Sequence, residues 1–295
     1  MRTLLMVVVM LGVAGVARAD VEEKATYAGH PLVVRASSLS KKNPTYSLKG
    51  ALDANPRSVW AEGVDGSGVG EWLELQFPEP TEIQAVELVG GNEGNAKLYK
   101  TDNRIKSAHL TFSPESAPRN LSVRDDARVT SLLEILPAGM KLSSLRLTID
   151  AIYKGSVDDT VISRLWPTVL DHDGYAGPGL GGTILDFVRS PPGELMQHIA
   201  SDWTLDVNSK AKDCKPGARK KDRARSATPE QLAMLAYVQQ RLQGATEASW
   251  AQSDKPDVVF TPSESGDALV MHFAPAGSGR FKITGISGQL AACPP

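Results

Sequence analysis

Between Pro31 and Trp166 the chain alternates apolar and polar residues over short runs, each of which stops at Gly, Pro, Asn or Asp. In EWLELQF (71–77), Leu73, Leu75 and Phe77 fall on one side and Glu74 and Gln76 on the other. In SSLRLTIDAIY (143–153), Leu145, Leu147, Ile149, Ala151 and Tyr153 share a side. SAHLTFS (107–113) repeats the pattern, and TEIQAVELVG follows Pro78 and Pro80. A period of two sends successive side chains to opposite faces of a sheet, so each run is a strand with one buried face. DGSGVGE, GGNEGN and SPESAPRN separate the runs, and no long helical period interrupts them. Short strands punctuated in this way predict a β-sandwich or jelly roll over 31–166. Residues 20–30 read as a polar lead-in.

The composition shifts after Trp166. WPTVLDHDGYAGPGLGG (166–182) is rich in Gly and Pro and predicts a linker over 167–182. TPEQLAMLAYVQQRLQG (228–244) is the clearest helix: Thr228 caps it, Pro229 suits its first turn, and Gln231 completes a capping box. Leu232, Leu235, Gln239 and Leu242 lie along its side. ELMQHIASDW reads as a second helix, and PDVVFTPS, DALVMHFAP and GRFKITGIS as strands. The fold class is therefore mainly β: a jelly-roll sandwich followed by a smaller α+β domain over 183–295.

Residues 1–19 carry a positive start at Arg2, an apolar run and the small-residue pattern Ala17-Arg18-Ala19. That is the layout of a secretory signal peptide, too short to span a bilayer. A secreted or periplasmic protein starting at Asp20 is expected, without a transmembrane segment. Losing Arg2 and Arg18 takes the formal charge from −2 to −4. Such a near-neutral chain does not suggest a nucleic-acid binder. In an oxidising compartment Cys214 and Cys293 are expected to form a disulfide rather than to remain as two buried thiols. The bridge would close a loop of about 80 residues, worth roughly 4 kcal/mol.

ALDANPRSVWAEG (51–63) packs turn formers ahead of a Trp. Two readings stand. Asp53, Asn55 and Ser58 supply a carboxylate, a carbonyl and a hydroxyl at a spacing that suits a calcium cage. Alternatively, Asp53 closes an Asx turn on nearby backbone N–H groups. Trp60 and Trp72 start strands in alternating register and read as core.

YSLKGALDANPRSVWAEG, then GVGEWLELQF, then IQAVELVGG resemble a discoidin (coagulation factor 5/8 type C) domain. WAEGVDGSGVGEWLEL (60–75), YKTDNRIKSAHLTFS (99–113) and IYKGSVDDTVISRLW (152–166) are most similar to the glycan-binding jelly roll found beside the toxin domain of streptococcal NAD-glycohydrolases. The resemblance ends at Trp166. It implies a jelly roll that binds carbohydrate or another surface ligand through loops at one end. Metal-binding members of that family usually carry a Glu where this chain has Arg164. A guanidinium there repels a divalent cation, and it is expected to pair with Asp53 in the ion's place.

Sugars are held by aromatic faces and by planar groups that pair two hydroxyls. The candidate ligand residues are Glu62 and Asp65 in the Gly-rich loop 62–71, Tyr99, Asn103 and Arg104 in YKTDNRIK, and Tyr153, Lys154 and Asp158 in YKGSVDDT. The stretch 210–225 has eight Lys or Arg against two Asp and reads as a solvated loop. Gly-x-Ser-x-Gly and His-Glu-x-x-His are missing, and His198 and His272 stand alone in the sequence. No cofactor is expected apart from the calcium that the 53–58 spacing would suit.

The expectation is a non-catalytic secreted protein that binds a glycan or cell-envelope surface. One alternative is a secreted enzyme that the jelly roll targets and whose second half is catalytic. Another is a structural envelope protein, which burial of the 62–71 loop would favour. The sequence leaves the oligomeric state open.

Overall fold

The computed structural model describes residues 20–55, 57–94, 96–115, 117–123, 125, 131–172, 174–177, 180–209, 228–243, 247–251, 257–260, 268–277 and 280–290. The lead-in is structured: β1 (Val21–Tyr27) turns through Ala28-Gly29 into β2 (His30–Ala36), register pairing Tyr27 with His30. A 3-10 turn (Leu48–Ala51) precedes β3 (Trp60–Ala61). Then come β4 (Trp72–Val89), α1 (Ala96–Thr101), β5 (Arg104–Ser113), β6 (Arg119–Ser122), β7 (Ser131–Ile135), β8 (Lys141–Tyr153), β9 (Val161–Ile162) and β10 (Arg164–Asp171).

β4 belongs to two sheets. Its first part pairs with β2 and β8, giving a front sheet in the order β1-β2-β4-β8-β5-β6. Pro78 and Pro80 have no N–H to donate, and the β4–β8 register breaks between Gln76 and Thr81. Beyond the break β4 pairs with β10 and β7 in a back sheet. Leu73, Leu75, Leu145, Leu147 and Ile149 meet Val86, Leu88 and Leu165 in one buried cluster between the sheets. The alternation seen in the sequence is therefore the core of a β-sandwich, with each fully buried aliphatic side chain contributing about 1.5–3 kcal/mol.

The stretch expected as a linker is largely structured. Residues 167–171 complete β10, which turns back through β11 (Gly174–Ala176), and α2 (Gly181–Arg189) begins where the linker was to end. ELMQHIASDW is not a helix: a 3-10 segment (Pro192–His198) passes into β12 (Ile199–Ser209), where Trp203, Leu205 and Val207 alternate inward. α3 (Pro229–Gln243) has the expected capping box, with Gln231 N donating to Thr228 Oγ1 and Thr228 N to Gln231 Oε1. Its buried face is Leu235, Val238, Gln239 and Leu242, while Leu232 is exposed. Gln239 is accepted inside because its Nε2 donates to the carbonyls of Phe187 and Ser190, at the end of α2.

The expected later strands are β14 (Asp257–Phe260), β15 (Ala268–Gly277) and β16 (Arg280–Leu290), preceded by β13 (Glu247–Ala251). β13 pairs with β7, so the back sheet runs on as β4-β7-β13-β14-β15-β16-β12, with β12 parallel to β16. α2 and α3 pack on one face of this extension, over Trp203, Leu205, Met271, Phe273 and Ile286. Cys214 and Cys293, the expected disulfide, and the basic stretch 210–225 lie outside the described residues.

Candidate functional site

The site lies where the loops after β2, β3, α1 and β8 converge. The loop 62–71 depends on Gly66, Gly68 and Gly70, all with positive φ. At Gly68 a Cβ would fall within 2.8 Å of the Glu62 carboxyl group, so a glycine is required for the close approach as well as for the backbone angle. Glu62 is 0% exposed. It accepts the N–H of Val64 at 2.7 Å and of Thr160 at 3.0 Å, and Thr160 Oγ1 donates to Ser67 O at 2.8 Å. Burial pushes the Glu62 carboxyl above the usual carboxylate range, against the pull of the two N–H donors; Asp159 and Glu71 add to the rise. Glu62 therefore pins the loop from beneath.

A second clasp is Lys42, whose Nζ lies 2.7 Å from Oδ1 of buried Asp159. That hydrogen bond raises the lysine's pKa. Between the clasps runs an open groove of about 450 Å³ lined by Leu39, Ser40, Lys41, Lys42, Gly63, Val64 and Asp65. Of the candidate ligand residues, only Asp65 lines it. Leu39 to Lys42 were missed because SLSKK carries no aromatic or amide pattern; only proximity to the 62–71 loop gives it meaning.

The remaining candidates are held elsewhere. Asn103 is 0% exposed, donates Nδ2 to Asp158 O and accepts from Gly155 N. Arg104 forks onto Asp125 at 2.8–3.1 Å and sits over the Tyr99 ring, 5.4 Å from its centroid. Burial pushes the Tyr99 phenol up to about 12. Tyr153 OH donates to Val123 O at 3.1 Å. These groups fasten the loops after α1 and β8 to the sandwich. Lys154 and Asp158 form an exposed pair at 3.2 Å, worth little in water.

Trp60 is core, with its indole N–H donating to Ser38 O at 3.0 Å. Trp72 is partly exposed and lies under Arg146, 3.9 Å from the ring centroid. Ser37 and Ser38 both donate to Glu71 Oε2, which secures the far end of the 62–71 loop.

Asp53 closes an Asx turn. Asp53 Oδ1 accepts from Asn55 N at 2.9 Å, Asp53 Oδ2 accepts from Ser58 Oγ at 3.0 Å, and Asn55 Oδ1 accepts from Arg57 N. Asp53 thus spends its oxygens on the Asn55 N–H and the Ser58 hydroxyl, and Asn55 its oxygen on the Arg57 N–H, which supports the Asx-turn reading over a calcium cage. Among the described residues no group of three or more His, Cys, Asp or Glu converges in a way that could hold a metal. Arg164 does not pair with Asp53. Its Nη1 meets Glu87 at 3.0 Å, and its Nη2 and Nε meet Glu93 at 2.7 and 2.9 Å. The arginine starts β10 beside β4, so its neighbours are β4 and the loop that follows β4.

Residues 26–166 match the family model described as NAD glycohydrolase translocation F5/8 type C domain. No curated protein matches the chain. Among solved structures the chain is similar to the family 32 carbohydrate-binding module of C. perfringens NanJ in complex with galactose, at 12% identity and TM-score 0.34. That match covers 45% of this chain and 90% of that one. It is also similar to the family 32 module of AlyQ in complex with 4,5-unsaturated mannuronic acid, at 13% identity and TM-score 0.31, covering 47% and 93%. The match to the arabinofuranosyltransferase AftD from mycobacteria, at 13% identity and TM-score 0.40, covers 53% of this chain and 11% of that one. The chain thus spans only about a tenth of the transferase. Among the described residues no helix is long and apolar enough to cross a membrane.

Proposed function

We propose that this chain, whose residues 26–166 are a discoidin-like (F5/8 type C) domain, is a secreted or periplasmic protein that binds glycan at the groove between Lys42 and Asp65. The observation that carries this reading is an open groove of mixed polar and apolar lining whose walls are held from behind. Glu62 and the Lys42–Asp159 pair hold both sides, so little ordering entropy is lost when a sugar enters. Lys41, Lys42 and Asp65 offer ammonium and carboxylate groups to sugar hydroxyls, and Leu39 and Val64 an apolar patch to the ring. Binding here involves no chemical step.

The structural-envelope alternative has less support, because Asp65, Ser67 and Val69 in the 62–71 loop are exposed. The test is glycan-array binding of the mature chain, with calcium and with chelator. Binding in both conditions that is lost in the Lys42→Ala/Asp65→Ala double variant supports the groove. Absence of binding in both refutes the reading.

A further inference from the structure

The second half of the chain holds a pair of side chains that no sequence pattern announces. Along β12, β15 and β16 the residues facing α2 and α3 are apolar, and Thr204, His272 and Ser287 take the alternate positions on the opposite face. The register sets His272 and Thr204 on either side of Gly285, with Ser287 two residues further along β16. Ser287 Oγ lies 2.9 Å from His272 Nε2. A Cβ at Gly285 would lie 2.6 Å from Thr204 Oγ1 and 3.3 Å from His272 Cδ2. Only glycine lets the hydroxyl and the imidazole close over one backbone position. Three polar groups thus converge on a half-exposed sheet face.

We propose that Ser287 and His272 form a nucleophile–base pair that hydrolyses esters of small acyl groups, with Thr204 as hydrogen-bond donor to the reacting carbonyl. The geometry has the parts that acyl transfer needs: a hydroxyl within hydrogen-bond reach of an imidazole nitrogen, and a further donor beside them. Ser287 Oγ attacks the carbonyl carbon as its proton passes to His272 Nε2. The imidazolium gives that proton to the departing alcohol. Water then attacks the acyl-serine, its proton returns through His272 to Ser287 Oγ, and the carboxylic acid leaves. Ester and water become alcohol and acid, and no oxidant or cofactor is consumed. Thr204 Oγ1–H is the donor for the oxygen on which negative charge develops. The open sheet face favours short acyl groups.

The second serine–histidine contact of the described residues has a different character. Ser190 Oγ is 2.6 Å from His198 Nε2, but its proton is engaged by the carbonyl of Asp186 at the end of α2. That hydroxyl caps a helix. Ser287 has His272 as its side-chain partner among the described residues.

The test uses the mature chain, a fluorophosphonate probe and p-nitrophenyl acetate. Expected are a covalent mark on the peptide containing Ser287, its loss in Ser287→Ala, and an unchanged mark in Ser190→Ala. His272→Gln should slow hydrolysis about 10²–10⁴-fold, the usual contribution of a general base. Thr204→Val should lower kcat with little change in KM. No mark on the wild-type protein, a mark that survives Ser287→Ala, or an unchanged rate in His272→Gln would overturn the proposal. If Ser287→Ala does not fold, peptide mapping of the labelled wild-type chain decides in the same way. The site is remote from the glycan groove in sequence and in sheet position, so failure of one reading leaves the other standing.

Discussion

Truncating Arg164 gives the sharpest test of how the sandwich is locked. The guanidinium reaches Glu87 at 3.0 Å and Glu93 at 2.7 Å, and side-chain exposure is 11% for the arginine and 2% for each glutamate. It also stacks on Trp166, 4.4 Å from the ring centroid. Arg164→Ala leaves two carboxylates out of water without that cation. Breaking a buried pair by removing one partner costs about 3–5 kcal/mol, whereas an exposed pair is worth at most about 1 kcal/mol. For a chain of this size the loss lowers the melting temperature by on the order of 10 °C. The assay is guanidinium unfolding of the chain from Asp20 onward at neutral pH, followed by circular dichroism and tryptophan fluorescence. Arg164→Met/Glu87→Gln/Glu93→Gln, which removes the charges together, should recover more than half of the loss. Asp53→Asn should cost less than about 1 kcal/mol, since its turn is exposed. An Arg164→Ala cost below about 1 kcal/mol, or one matched by Asp53→Asn, would refute the assignment of Arg164 to Glu87 and Glu93.

Further outcomes are expected. Gly155→Ala places a Cβ 2.2 Å from Thr101 O and should destabilise by about 1–3 kcal/mol or more in thermal melts. Trp60→Phe removes the donor to Ser38 O from a fully buried site and should cost about 1–3 kcal/mol; a neutral effect would show that the carbonyl finds another partner. Glu62 has a folded-state pKa above its unfolded value, so its contribution is present below the ordinary glutamate pKa and is lost as pH rises through the raised value. The wild type should therefore outlast Glu62→Gln by more at acid pH than at neutral pH, and a pH-independent difference would contradict this. A chelator should leave the melting temperature unchanged, because Asp53 and Asn55 spend their oxygens on N–H groups and the Ser58 hydroxyl within the loop.

The strands that alternate were legible because a period of two is a local property. Leu73, Leu75, Leu145 and Leu147 announce a buried face whatever they pack against, and each is in the core. The capping box at Thr228–Gln231 was legible for the same reason: its partners are three residues apart. Two misreadings were also local. ELMQHIASDW has no turn signal between its parts, so a 3-10 segment entering a strand looked like one helix. β1 is an edge strand with Glu22 and Lys24 exposed and Glu23 paired to Lys49, which hides it from hydropathy.

Partners far apart in the chain were decided only by the fold. Glu62 and Thr160, Lys42 and Asp159, Arg164 and Glu87, and His272 and Ser287 each meet through strand pairing or loop convergence, and strand register carries no local trace in the residues that it joins. The sequence by itself determined a β-sandwich over its first half, an α+β second half and the position of the clearest helix. The tertiary structure decided that β7 and β13 join the halves into one sheet, that Arg164 serves β4 instead of the Asp53 loop, and that the groove is built from Lys42 and Asp65. The physical reason is range: periodicity and capping act over a few residues, whereas burial of a charge and closure of a groove depend on which distant segments share a surface.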